Sequence, residues 1–193
     1  MYKQSATYIK METTDLKISI IGAGNMGGAI ARGLSKGTIV QAGNIRVSDV
    51  SADHLQALQT FAPEISISRT NAEIIKDADI IILAVKPWLV ETVAKEIEHK
   101  IDYKKQIIVS IAAGVDFEKL SELFDTEASI FRVIPNTAID ILESVTTIAA
   151  QKATKEQQDL VLTLFAEMWK AFLVPESQLN AFMSLSSCGI AYA

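Results

Sequence analysis

Gly22, Gly24 and Gly27 stand at the spacing G-x-G-x-x-G within KISIIGAGNMGGAIARGL, residues 17 to 34. An apolar run precedes them and a helical pattern follows. Such a loop binds anions through its backbone. Gly22 permits the tight turn, Gly24 lets an anion approach the amides, and Gly27 lets the helix lie close against the strand. A helix beginning at Asn25 aims free N–H groups and its positive dipole end at the same point. The pattern predicts a pyrophosphate cradle and hence a dinucleotide site. The competing reading is a glycine-rich turn kept for packing alone.

Asp49 is the second chemical feature, at the tip of RVSDVS. A carboxylate at the end of the second strand accepts a ribose diol and repels a 2′-phosphate. Val50 and Ser51 follow it, with no arginine. This favours NADH over NADPH and leaves both open as cofactors; the alternative is that Asp49 or Asp53 caps the next helix. Lys86, at the end of a buried run, either steadies an anionic ligand or is a surface lysine. His54 and His99 lie in polar stretches and read as surface residues. No His/Cys cluster has metal-ligand spacing, so no metal is expected. Cys188 is the only cysteine. It reads as a small apolar helix residue that cannot form an internal disulfide, which points to a reducing, cytoplasmic compartment.

These groups need elements to hold them. Strands are predicted at 17–21, 45–49, 65–68, 79–85, 106–111, 129–134 and 145–150. Helical patterns alternate with them at 25–36, 52–59, 71–76, 88–100, 116–124 and 155–170. The alternation predicts βαβ units and a parallel sheet. DIIILAV (79–85) lacks polar alternation, as a strand covered on both faces would. Thr154 and Gln157 have capping-box spacing. The sheet is expected to end near residue 150. Another helical pattern starts after Pro175, and the chain stops inside it. That reads as a cut within a longer architecture, or else as a short docking helix at a natural end.

The expected class is α/β: a Rossmann-like, doubly wound, mainly parallel sheet over residues 17–175. Residues 1–16 read as a flexible extension, and 176–193 as the start of a helical C-terminal domain. With 18 basic against 23 acidic residues, a net charge of −5 and no basic cluster, a nucleic-acid footprint is not supported. No apolar run is long enough for a membrane span, and the polar start does not read as a secretory signal.

Five segments carry a resemblance to the pyrroline-5-carboxylate reductase family: IGAGNMGGAIARGL (21–34), ADIIILAVKPWLV (78–90), SIAAGV (110–115), RVIPNTA (132–138) and LSSCGIAY (185–192). The resemblance implies NADPH- or NADH-dependent reduction of a cyclic imine, 1-pyrroline-5-carboxylate, to L-proline. It also implies an all-helical dimerisation domain after the Rossmann domain, joining subunits into a homodimer or a larger ring. By resemblance, Ile21, Gly22, Ala23, Gly24, Asn25 and Met26 meet the pyrophosphate. Ser48, Asp49 and Asn71 face the adenosine side, Ala84, Val85, Lys86 and Pro87 line the cofactor groove, and Ala112 and Ala113 approach the nicotinamide. Ser186 is a substrate-pocket candidate, with helix packing as its other reading. The chain departs from the family pattern at Ala138, at Ser144 and at Ser187, Cys188 and Ile190. Those departures keep a related cyclic imine open as substrate. A hydroxy-acid reductase, with Lys170 as its only candidate helix lysine, and a non-catalytic redox sensor are further alternatives.

Overall fold

The computed structural model describes residues 15–188. Eight strands form one sheet: β1 (Ile18–Ile21), β2 (Ile45–Ser48), β3 (Ser66–Ser68), β4 (Ile80–Leu83), β5 (Ile107–Ser110), β6 (Ser129–Ile134), β7 (Ser144–Gln151) and β8 (Trp169–Leu173). Their order is β3-β2-β1-β4-β5-β6-β7-β8. Neighbours from β3 to β6 run parallel, β7 runs antiparallel to β6, and β8 is parallel to β7. This is the Rossmann-like, mainly parallel sheet that the strand–helix alternation predicts.

The two faces explain the unbroken isoleucine runs. Ile18, Ile20, Ile80 and Ile82 point to one core, with Ile30 of α1 (Asn25–Ser35), Leu58 of α2 (Ala52–Phe61) and Leu164 of α6 (Lys155–Ala166). Ile21, Ile81 and Leu83 point to the other. They meet Ile74 of α3 (Asn71–Ile74), Val90 of α4 (Val90–Ile97), Leu120 of α5 (Phe117–Leu123) and Leu179 of α7 (Glu176–Met183). A strand buried on both sides has no polar face to show in its sequence.

The carboxyl-terminal part of the sheet differs from the expectation. The helix predicted over 155–170 ends at Ala166, and the sheet continues into β8. Tertiary contacts decide this. Met168 leaves the helix path to pack fully buried beneath Gly33 of α1, where a Cβ would lie 2.9 Å from its sulfur. Glu167 turns to accept from the Ile39 amide at 3.1 Å and the Thr38 hydroxyl at 3.0 Å. The Ser144 amide then donates to the Met168 carbonyl at 3.0 Å, which opens the β7–β8 ladder. Lys170, expected at the end of the helix, therefore lies on an edge strand, as does Phe172. The aromatic and β-branched content of WKAFLV was the available strand signal.

Thr154 caps α6 as its spacing predicts: its hydroxyl accepts from the Gln157 amide at 3.2 Å, and the Gln157 side chain accepts from the Thr154 amide at 2.9 Å. Thr154→Ala is expected to cost about 1 kcal/mol, measured as a shift of the urea midpoint with an unchanged slope. Residues 1–14 of the expected N-terminal extension and residues 189–193 lie outside the described residues. Leu16, placed in that extension, packs against the first core.

Candidate functional site

The turn after β1 brings the loop to the carboxyl edge of the sheet. Gly22 takes φ +107° and donates its amide to the Ser48 carbonyl at 2.7 Å. A Cβ at Gly22 would lie 2.4 Å from the Ala84 carbonyl oxygen, so only glycine fits beside the β4 end. Gly27 is more tightly confined. Its Cβ would lie 1.9 Å from the Gly22 carbonyl oxygen and 2.8 Å from Ala84 Cβ. Gly24 is different: a Cβ there would meet no protein atom within 4 Å. Gly24 is the N-cap of α1, makes no side-chain cap, and leads into a first turn without an acidic residue. The first amides of a helix lack intrahelical partners. Unsatisfied donors, an unobstructed approach and the dipole together fit a phosphate group at this point.

Asp49, part-buried at the end of β2, is engaged by the chain itself. One carboxylate oxygen accepts from the Ala23 amide at 2.6 Å, and the other accepts from the Ser51 amide at 2.7 Å. His54 Nδ1 lies 3.5 Å from the same carboxylate. Helix α2 is capped by Ser51, not by Asp49 or Asp53. Beside Asp49, the buried Ser48 hydroxyl donates to Asn71 Oδ1 at 2.7 Å, and Asn71 donates to Glu96 at 2.8 Å. The three residues expected at the adenosine side thus form one connected patch around the β2 tip. His54 and His99 are exposed, with side-chain accessibilities of 53% and 89%.

The other expected residues follow along the same edge. The Ala84 amide donates to the Ile21 carbonyl at 2.8 Å, which fixes the β4 end against the glycine loop. Val85 is half-buried, Lys86 exposed, and Pro87 opens a 3-10 turn through Leu89. Trp88, not singled out in the sequence, stands 74% exposed beside Lys86 on the rim. Ala112 is buried and Ala113 exposed, in a turn that Gly114 closes with φ +81°. Ser186 lies in a π-helical turn (Ser184–Cys188) after α7, and its hydroxyl donates to the Phe182 carbonyl at 2.9 Å. Two polar residues of β6 and its exit hold that segment. Arg132, buried, pairs with Glu176 at 2.7 Å, and Asn136 donates to the Ser186 carbonyl at 3.0 Å. Both lie within RVIPNTA (132–138), whose sequence resembles the family without marking a role for either residue.

No cluster among the described residues has the composition of a metal site. No helix among them is long and apolar enough to cross a membrane.

A family model described as NADP oxidoreductase, coenzyme F420-dependent, matches residues 17–114, just over half of the chain. The chain belongs to this family. The match to the NADP oxidoreductase, coenzyme F420-dependent family covers the glycine loop, β2, β4 and the turn at Ala112. The pyrroline-5-carboxylate reductase resemblance is borne out as well. The reductase of that name from Methanosarcina acetivorans is 38% identical over 177 residues, covering 91% of this chain and 65% of the relative. Among solved structures, a pyrroline-5-carboxylate reductase from Coxiella burnetii superposes with a TM-score of 0.86 at 26% identity, over 93% of this chain and 66% of the other. The Plasmodium falciparum pyrroline carboxylate reductase with NADP bound shares the fold, with a TM-score of 0.82 at 24% identity over 93% of this chain and 65% of the other. The chain therefore spans slightly less than two thirds of the length of these proteins.

Proposed function

We propose that this protein reduces 1-pyrroline-5-carboxylate to L-proline with NADPH or NADH. The observation that carries the reading is the α1 terminus: Gly24 open to an anion, no competing cap, and Gly22 and Gly27 packed so closely that the loop has one shape. On this reading Ile21 to Met26 hold the pyrophosphate, Ser48, Asp49 and Asn71 hold the adenosine ribose, and Ala84 to Pro87 line the groove. Ala112 and Ala113, small residues beyond β5, leave space for a flat ring, and Ser186 lies on the substrate side.

The cofactor supplies the hydride; the chain binds, orients and excludes water. Asp49 anchors the loop through Ala23 and Ser51, so one carboxylate both shapes the cradle and sets charge at the ribose. The cyclic imine is readily protonated, so its carbon is electrophilic without a side-chain acid. Hydrophobic walls from Val85 and Ala112 would exclude water from the reacting pair. A hydroxy-acid reductase is less well supported, because Lys170 stands on the exposed edge strand β8 and lies against the Trp169 ring rather than on a helix facing the site. We further propose a homodimer or larger ring, cytoplasmic, joined through a helical region that follows α7.

The test is oxidation of NADH and of NADPH, followed by absorbance, with 1-pyrroline-5-carboxylate added. Imine-dependent oxidation with L-proline as product is expected from a protein extended to the full length of the relatives. Cofactor binding without any imine-dependent oxidation would overturn the reductase reading and favour a sensor.

A further inference from the structure

Asn136 follows the end of β6 and is 8% exposed. Its backbone amide donates to the buried Ser144 hydroxyl at 3.2 Å, and that hydroxyl shares a hydrogen bond with Thr146 at 3.0 Å. Its side-chain NH2 donates to the Ser186 carbonyl at 3.0 Å. A carbonyl only accepts, so the amide orientation is fixed: the NH2 faces Ser186, and Oδ1 is turned away from it. Oδ1 is buried and has no hydrogen-bond partner among the described residues. Buried acceptors without a donor are rare and costly in native proteins, and each calls for a cause. Here the chain does not merely tolerate the orphan. Ser144 holds the Asn136 backbone through its amide, and Ser186 holds the side chain through its NH2.

Its place in the sheet indicates the missing donor. The glycine loop leaves β1, and β4, β5 and β6 follow in order along the same carboxyl edge. At about 4.8 Å per strand, β6 lies roughly 14 Å from β1. A dinucleotide with its pyrophosphate on the α1 terminus and its adenosine over β2 extends its other base toward β4, β5 and β6. That base, nicotinamide, carries one carboxamide, whose NH2 is a neutral donor. We propose that Asn136 Oδ1 accepts the nicotinamide carboxamide and thereby sets which face of the ring is presented. Asn136 is thus a cofactor-positioning residue, its side chain oriented by the Ser186 carbonyl. This inference rests on the cofactor reading above.

The test is binding by this chain, without substrate or turnover. Three ligands are titrated: ADP-ribose, NADH, and the reduced 3-acetylpyridine analogue of NADH, in which a methyl group replaces the carboxamide NH2. The unmodified chain is expected to bind NADH about five- to tenfold more tightly than the analogue, the worth of one ordinary hydrogen bond. Asn136→Ala is expected to bind both equally while keeping its ADP-ribose affinity. If the alanine variant fails to bind ADP-ribose because it does not fold, Asn136→Ser supplies the same readout with a shorter polar side chain. A variant that keeps the NADH preference, or an unmodified chain that shows none, overturns the assignment of Asn136 and leaves the cofactor reading intact. An unmodified chain that does not bind ADP-ribose overturns the cofactor reading and this inference together.

Discussion

Gly27→Ala is expected to lower stability by roughly 3 kcal/mol and to abolish cofactor binding, whereas Gly24→Ala abolishes binding alone. The added methyl at position 27 would lie 1.9 Å from the Gly22 carbonyl oxygen and 2.8 Å from Ala84 Cβ. Neither neighbour is the far end of a flexible side chain. One is backbone within the loop, and the other sits where β4 is hydrogen-bonded to β1 through Ala84 and Ile21. Relief therefore requires α1 to shift off the sheet, which places the cost at the upper end of the usual overpacking penalty. That shift carries the free amides of the first turn away from the phosphate position. At position 24 the backbone is already in a region open to alanine, with φ −66°, and the methyl meets no protein atom within 4 Å. Its stability effect is expected to stay within about 0.5 kcal/mol. Urea unfolding and a fluorescence titration with NADH separate the two variants. Equal stability losses at both positions would show that the loop's glycines serve packing alone.

Asp49→Ser is expected to shift the ratio of kcat/KM for NADPH over NADH upward by about 10- to 100-fold. Two effects contribute. Removing the carboxylate removes a like-charge repulsion near the 2′-phosphate; at close range, with an effective dielectric near 20, unit charges interact by about 4 kcal/mol, and solvent screening reduces that. The same change also removes the acceptor for the Ala23 and Ser51 amides. Hydrogen bonds to a charged group are worth roughly 1.5–3 kcal/mol, so the loop loosens and NADH affinity falls. NADPH use is thus expected to improve less in absolute terms than the ratio suggests. The steady-state constants for both cofactors, measured on the protein that carries out the reduction, check this. A ratio that does not move would remove Asp49 as the discriminating residue.

The strands and helices as far as β7 were legible because both faces of a parallel sheet are buried. Ile18 to Ile21 and Ile80 to Leu83 read as strands from continuous apolar character bounded by turn residues, and Thr154 with Gln157 announced the start of α6. The site was legible where backbone conformation dictates residue type, as at Gly22 and Gly27. Asp49 was legible as a charge at a strand tip. Its contacts were not, because the Ala23 amide lies far from it in sequence and meets it only when β1 and β2 pair. Trp88 passed unnoticed because an exposed aromatic beside a proline has no periodic signal.

By itself the sequence determined the α/β class, the strand–helix alternation of a mainly parallel sheet, the glycine loop at its first turn and the excess of acidic over basic residues. These follow from local periodicity and from steric rules that act within a few residues. Only the tertiary structure decided where α6 ends, that β8 extends the sheet, that Ser51 caps α2 in place of Asp49, and that Asn136 is held with its oxygen unpaired. Each of those depends on a partner distant along the chain: Gly33 for Met168, Ile148 for the β8 ladder, Ala23 for Asp49, and Ser144 and Ser186 for Asn136. Hydrogen bonds and packing between distant segments override a local helical pattern whenever they satisfy more buried surface and polar groups than another helical turn would.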